Sequence, residues 1–116
     1  MNVNGLVAEH KFMAWLLEQG YEIAQTMEGG VTDVVWREKP GDYWRSAQVK
    51  KVYQKRGKPT VNLVRSKGQR YGAIDADYLA AVDYDNNKLW LIRFDAVCQW
   101  TRKTLNQDWD AYINEL

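Results

Sequence analysis

Apolar residues recur every three or four positions near the start of the chain and form one broad face: Leu6, Phe12, Met13, Trp15, Leu16 and Leu17. This period predicts an α-helix over residues 3–19. Asn4 can cap its first turn, and Gly20 can end it in a left-handed conformation.

Shorter apolar segments follow, rich in β-branched and aromatic residues and separated by Gly, Pro, Asn and Asp. They predict strands at residues 21–25, 31–37, 43–52, 60–65, 76–84 and 88–94. Turns are expected at 39–42 and 85–87, a basic loop at 54–59 and a short helix at 109–116. A helix, a mostly antiparallel sheet and a second helix indicate an α+β fold or a mixed α/β sandwich.

The length of 116 residues is that of one domain, which we expect to span residues 1–116. The chain has no apolar run of about 18 residues and no signal-peptide pattern, so we expect a cytoplasmic protein without a membrane contact. Cys98 lies in an apolar-rich segment and is expected to be a buried thiol. One histidine and one cysteine do not supply the ligands of a zinc site.

Positive charge is concentrated in one part of the chain. Residues 37–70 contain eleven Lys and Arg against two acidic residues, a net charge of +9, so the rest of the chain carries about −8. Such a cluster favours a nucleic-acid-binding surface, although a solvated hairpin and loop would have the same composition. The candidate phosphate contacts are Arg45, Lys51, Lys55, Arg56, Lys58, Arg65, Lys67 and Arg70.

Four polar residues stand out against their apolar surroundings: Glu9 on the predicted helix, Asp33 on one strand, and Gln48 and Lys50 on the next. Side chains alternate along a strand, so Gln48 and Lys50 share a face, while Lys51 shares the opposite face with Val49. Charge within an apolar strand is costly unless it is paired or binds a metal. The plainer alternatives are a turn-capping Asp33 and surface positions for Gln48, Lys50 and Glu9.

The order of these residues resembles the PD-(D/E)xK nuclease superfamily over roughly residues 3–95. Thr32-Asp33 matches the family's Pro-Asp, and Gln48-Val49-Lys50 matches its third-strand motif. The likeness is strongest to a small branch with archaeal Holliday-junction resolvases and a cyanobacterial group I intron homing endonuclease that also has Gln-x-Lys. This sequence departs from the family pattern at Thr32, which replaces Pro, and at Gln48, which replaces Glu and removes one negative charge.

The resemblance implies a restriction-endonuclease-like core, with a mixed central sheet flanked by helices. It also implies a DNA endonuclease that uses Mg²⁺, or Mn²⁺, and acts as a homodimer or homotetramer. Asp33, Gln48 and the Val49 backbone carbonyl would hold the metal, with Glu9 as a further candidate ligand. Lys50 would activate water. Asp75 and Asp77 are expected to cap or start a strand instead.

Three functions remain open on these grounds. A site-specific homing or phage-type endonuclease is favoured slightly by Gln-x-Lys. A junction resolvase is the second possibility, and a non-catalytic DNA-binding module on the same fold is the third. The aromatic residues Trp90, Trp100 and Trp109 are a candidate contact surface between subunits.

Overall fold

The computed structural model describes residues 3–25, 33–63, 72 and 75–116. Helix α1 spans Val3–Glu18, close to the predicted limits. Gly20 follows it with a φ of +87°. The N–H of Gly20 donates to the Leu17 carbonyl, and the N–H of Tyr21 donates to the Leu16 carbonyl. This is the pair of bonds that closes a helix through a left-handed glycine, so Gly20 ends the helix as predicted.

In the described residues, nine strands follow the helix: β1 (Glu22–Gln25), β2 (Val34–Arg37), β3 (Arg45–Lys51), β4 (Tyr53–Lys55), β5 (Lys58–Asn62), β6 (Tyr78–Asp83), β7 (Lys88–Arg93), β8 (Arg102–Thr104) and β9 (Ile113–Glu115). A six-stranded sheet has the order β1-β2-β3-β6-β7-β9, and a three-stranded sheet has the order β4-β5-β8. The pairing of β3 with β6 is parallel, and the other pairs are antiparallel. The expected mixed sheet is therefore confirmed.

Two predicted elements differ from the structure. The basic loop expected at residues 54–59 is instead the hairpin of β4 and β5, joined by Arg56 and Gly57. The helix expected at residues 109–116 is wrong: a 3-10 turn covers Gln107–Tyr112, and β9 then pairs with β7. Eight residues form a marginal α-helix by themselves, so pairing with the sheet edge decides their conformation.

The core lies on both faces of the large sheet. On one face, Ala8, Phe12 and Leu16 form a fully buried stripe along α1 that packs with Ala47 and Val49 of β3. On the other face, the large sheet packs against the small one and against the C-terminal segment, as a second buried cluster of residues shows: Val52, Val61, Leu63, Ala76, Leu79, Ala81, Trp90, Ile92, Phe94, Val97, Cys98 and Leu105. The described helix therefore covers one face of the sheet, and strands cover much of the other.

Burial settles two expectations about single residues. Cys98 is 6% exposed, which confirms the buried thiol. Trp90 is 2% exposed, so its proposed place in a subunit contact is wrong, while Trp100 and Trp109 pack partly buried against the core. In the part of the chain that the structure describes, no helix has the length and apolar character needed to cross a membrane.

Candidate active site

Asp33 lies immediately before β2, and its backbone N–H donates to the Ala47 carbonyl of β3 at 3.0 Å. Its carboxylate turns toward β3, where Oδ2 accepts from the Val49 N–H at 2.8 Å and from Gln48 Nε2 at 2.9 Å. Asp33 therefore joins two neighbouring strands, and these contacts are not those of a turn cap.

Gln48 is 7% exposed, so the alternative of a surface glutamine is wrong. Its Nε2 donates to Asp33, which fixes the amide, because the reverse orientation would place two acceptor oxygens against each other. Its Oε1 is buried and has no hydrogen-bond partner among the described residues. A buried acceptor without a partner destabilises a protein by about 1–3 kcal/mol, so contact of this oxygen with an electropositive group would be favourable.

Lys50 and Lys51 lie on opposite faces of β3, as alternation predicts. Lys50 shares the face of Gln48, is half-buried, and lies close enough to Asp33 for its charge to lower the pKa of that carboxyl. Lys51 lies on the helix side, with its ammonium 5.1 Å from the centre of the Tyr84 ring. The two neighbouring lysines therefore have different surroundings, and Lys50 is the one beside the carboxylate.

Glu9 reaches the same place from helix α1. Its pKa is raised by burial, then by the charge of Asp33 and by a hydrogen bond to that carboxyl. Burial also raises the pKa of Asp33, against the lowering effects of the Val49 N–H and the Lys50 charge. Both of these adjacent carboxyl groups are disfavoured in the charged form. A bound cation would favour the charged form by offsetting their negative charge.

The donor atoms at this place are all oxygens, which suits a hard cation such as Mg²⁺. They are the carboxylates of Glu9 and Asp33 and the buried Oε1 of Gln48. The N–H and C=O of one strand residue point to the same side, and the Val49 N–H donates to Asp33, so we expect the Val49 carbonyl on the Asp33 side of β3 as well. Among the described residues, no three His, Cys, Asp or Glu side chains form a metal-binding group, so the fit depends on Gln48.

Asp75 and Asp77 have the structural roles expected for them. Asp77 lies immediately before β6, and its Oδ2 accepts from the N–H of Ser46 at 2.9 Å and from its hydroxyl at 3.1 Å. Asp75 accepts from the Gly72 N–H at 2.6 Å. Neither contact involves the four candidate residues.

The basic residues fall in three places. Lys55, Arg56 and Lys58 line a surface depression of about 400 Å³ on the small sheet. Arg45 is exposed and pairs with Glu38 at 3.2 Å, and Lys51 lies over Tyr84. The candidate phosphate contacts Arg65, Lys67 and Arg70 lie outside the described residues, as do Val31 and Thr32 of the predicted strand before Asp33.

Three further residues line the same depression and were not predicted from the sequence: Thr60, Arg102 and Thr104. Arg102 and Thr104 flank Lys103 in β8, a strand of three residues that was not predicted. The alternation of Arg, Lys and Thr was the one available signal, and it is too short to identify a strand.

No family model and no curated protein matches this sequence. One solved structure that it resembles is that of a bacterial homing endonuclease, I-Ssp6803I, with a TM-score of 0.80 and 17% sequence identity. The match covers 92% of this chain and 78% of that one. At this identity the likeness concerns the fold, and the protein described here has the mixed α+β fold of that endonuclease.

Proposed function

We propose that this protein is a Mg²⁺-dependent DNA endonuclease, and that it cuts at specific sites as homing or phage-type enzymes do. The observation that carries the proposal is the buried Gln48, which bonds to Asp33 through Nε2 while its Oε1 lacks a hydrogen-bond partner among the described residues. Glu9 and Lys50 lie next to the same carboxylate. The fold likeness to a bacterial homing endonuclease supports the same class of activity.

The side chains have complementary roles in phosphodiester hydrolysis. When bound, Mg²⁺ would supply Lewis-acid chemistry at the phosphate and lower the pKa of water. Glu9, Asp33, Gln48 and the Val49 carbonyl would hold it. The Lys50 ammonium would orient the attacking water and stabilise the negative charge that develops on the phosphate. Breaking the ester bond would leave 5′-phosphate and 3′-hydroxyl ends.

The side chain of Gln48 can both donate and accept in this site, whereas a glutamate carboxylate can only accept. An amide donates through Nε2 and accepts through Oε1, so Gln48 can support Asp33 and still offer an oxygen to a cation. A glutamate would add a third carboxylate beside Glu9 and Asp33, which already repel each other. The amide therefore offers the metal a neutral oxygen in place of a charged one. In the metal-free site it avoids further repulsion between carboxylates.

A cleavage assay tests the proposal most directly. The purified protein would be incubated with Mg²⁺ and with plasmid, genomic and four-way-junction DNA, each against an EDTA control. Discrete fragments from linear DNA are expected. Cutting confined to the junction would favour a resolvase, and binding without cutting on any substrate would indicate a non-catalytic DNA-binding module.

A further inference from the structure

The tip of the β4–β5 hairpin has a residue that its backbone conformation disfavours. Lys55 pairs with Lys58, so the turn consists of two residues, Arg56 at φ +54° and Gly57 at φ +76°. Two-residue turns with positive φ at both positions strongly prefer Asn-Gly, Asp-Gly or Gly-Gly. Elsewhere in this chain, the turn before β7 has Asn87 at φ +56°. The hairpin with arginine at position 56 is therefore less stable than it would be with asparagine.

The same hairpin brings like charges together. Lys55 and Lys58 lie directly opposite each other, so both side chains point to one face of the hairpin and repel. Arg56 adds a third positive charge at the tip. The hairpin thus departs from the residue preference of its turn and from the avoidance of like charges in a strand pair, and both departures add positive charge. Proteins depart from such rules mainly at functional sites, which indicates a function for that charge.

Strand pairing extends this positively charged surface beyond the hairpin. Thr60 of β5 lies opposite Thr104 of β8, and Asn62 lies opposite Arg102. Alternation puts these residues on the face of Lys58, while Val61 points into the core. The residues that line the depression are all basic or hydroxyl-bearing: Lys55, Arg56, Lys58, Thr60, Arg102 and Thr104. Thr60 is 1% exposed and its hydroxyl donates to the Lys58 carbonyl at 3.1 Å, so contacts to a ligand would come from the four basic side chains and from Thr104.

We propose that this face of the β4-β5-β8 sheet binds backbone phosphates of the DNA that occupies the candidate active site. Guanidinium, ammonium and hydroxyl donors are the groups that contact DNA phosphates. Lys50 and Lys55 are only five positions apart in the chain, so their Cα atoms lie at most about 17 Å apart. Phosphates of one strand advance about 3.4 Å along the axis, so the contacted phosphates would lie within about five nucleotides of the cut. This inference rests on the proposed function.

Arg56→Asn separates a binding role from a structural one, because the two predict opposite changes. Asparagine fits the turn and removes repulsion, so the melting temperature should rise, by about 2–5 °C. Binding to a labelled DNA duplex, measured by fluorescence anisotropy in EDTA, should weaken. The slope of log affinity against log salt should become shallower by about 0.9 for one lost phosphate contact.

Arg102→Gln tests whether the whole face binds, since Arg102 lies outside the basic segment of residues 37–70. It should reduce affinity and salt slope as Arg56→Asn does. Lys11→Gln is the charge-matched control on helix α1, at an exposed position, and should leave both unchanged.

The outcomes distinguish this inference from the proposed function. If the wild type binds DNA and both arginine variants bind with unchanged affinity and slope, the phosphate surface lies elsewhere and the inference is overturned while the endonuclease proposal stands. Failure of the wild type to bind duplex DNA at any salt concentration would overturn the proposed function and this inference with it.

Discussion

Gln48 is the residue whose environment says most about the chemistry of the site. Its sequence position alone is compatible with an exposed strand residue, but its amide is buried and Nε2 donates to Asp33. In the part of the chain that the structure describes, Oε1 has no hydrogen-bond partner. A carboxamide oxygen is a weaker ligand for a hard cation than a carboxylate. Two substitutions at this position distinguish a working ligand from a purely structural amide.

Gln48→Glu should bind Mg²⁺ more tightly and retain activity, because the oxygen keeps its place and gains charge. It should also destabilise the metal-free protein through repulsion with Asp33. Gln48→Ala should lower cleavage sharply and raise the Mg²⁺ concentration needed for half-maximal rate. A Mg²⁺ titration of cleavage by the wild type and both variants checks this, and identical midpoints would contradict the ligand role.

Lys50→Ala and Asp33→Ala should each nearly abolish Mg²⁺-dependent cleavage. In the proposed mechanism both residues would act mainly on the transition state, so the loss should appear in the rate of cutting more than in DNA affinity. Single-turnover cleavage and anisotropy binding separate the two quantities. Lys51→Ala is the matched control, because Lys51 lies on the opposite face of β3, over Tyr84. Normal cutting without Lys50 would contradict its assignment.

Glu9→Gln should stabilise the metal-free protein at neutral pH. The pKa values of Glu9 and Asp33 are both raised, chiefly by burial, from ordinary values of 4.5 and 3.8. The folded protein thus holds protons there more tightly than the unfolded chain, so stability falls as pH rises through this range and stays lower at pH 7. Replacing the Glu9 carboxylate by a neutral amide therefore removes part of this loss of stability.

Thermal unfolding with and without Mg²⁺ checks this linkage. The stabilisation by Glu9→Gln should disappear near pH 4, where the wild-type carboxyl groups take up protons. Mg²⁺ should raise the melting temperature of the wild type more than that of Glu9→Gln, because the cation relieves the repulsion between the two carboxylates. Equal Mg²⁺ shifts in both proteins would place the cation elsewhere.

At the scale of secondary-structure elements, local sequence signals succeeded where one residue controls the backbone. The end of α1 is an example, since Gly20 has a left-handed conformation and two hydrogen bonds close the helix around it. Signals failed in the basic segment at 54–59, where the Arg-Gly tip lacks the asparagine or aspartate that marks a hairpin turn.

Gly20→Ala should reduce the free energy of unfolding by about 1 kcal/mol, the cost of a left-handed conformation for a residue with a Cβ. Among the described residues, no atom outside Gly20 and its two chain neighbours lies within 4 Å of where that Cβ would be, so the expected effect is conformational and not steric. Urea denaturation measures it. Gly20→Asn is the matched comparison and should cost less, because asparagine tolerates this conformation better. Equal costs would contradict the explanation.

At the scale of the whole molecule, we expect a homo-oligomer, a dimer or a tetramer. In the proposed endonuclease one site would cut one strand, so cleavage of both strands would favour two sites related by symmetry. Multi-angle light scattering, with and without duplex DNA, should give a mass at least twice 13.6 kDa. A monomer at micromolar concentration, even with DNA present, would contradict this expectation.

Much of the candidate site could be predicted because strand alternation is a local property. The spacing of Gln48 and Lys50 puts them on one face whatever else the chain does, and Lys51 on the other. The sequence could not show that Gln48 would be buried or that Asp33 Oδ2 would accept from the Val49 N–H. Those contacts depend on β2 beginning just after Asp33, while β3 extends past Ala47 to Lys51.

The amino-acid sequence by itself determined the first helix and its end, most strands, the order of the four candidate residues and the concentration of positive charge. Each of these follows from periodicity, turn chemistry or composition, which involve neighbours in the chain. Tertiary structure decided the parallel pairing of β3 with β6, the strand at residues 113–115, and the meeting of Arg102 with the hairpin at residues 53–62. These contacts join residues dozens of positions apart, and short segments take the conformation that the surrounding sheets allow.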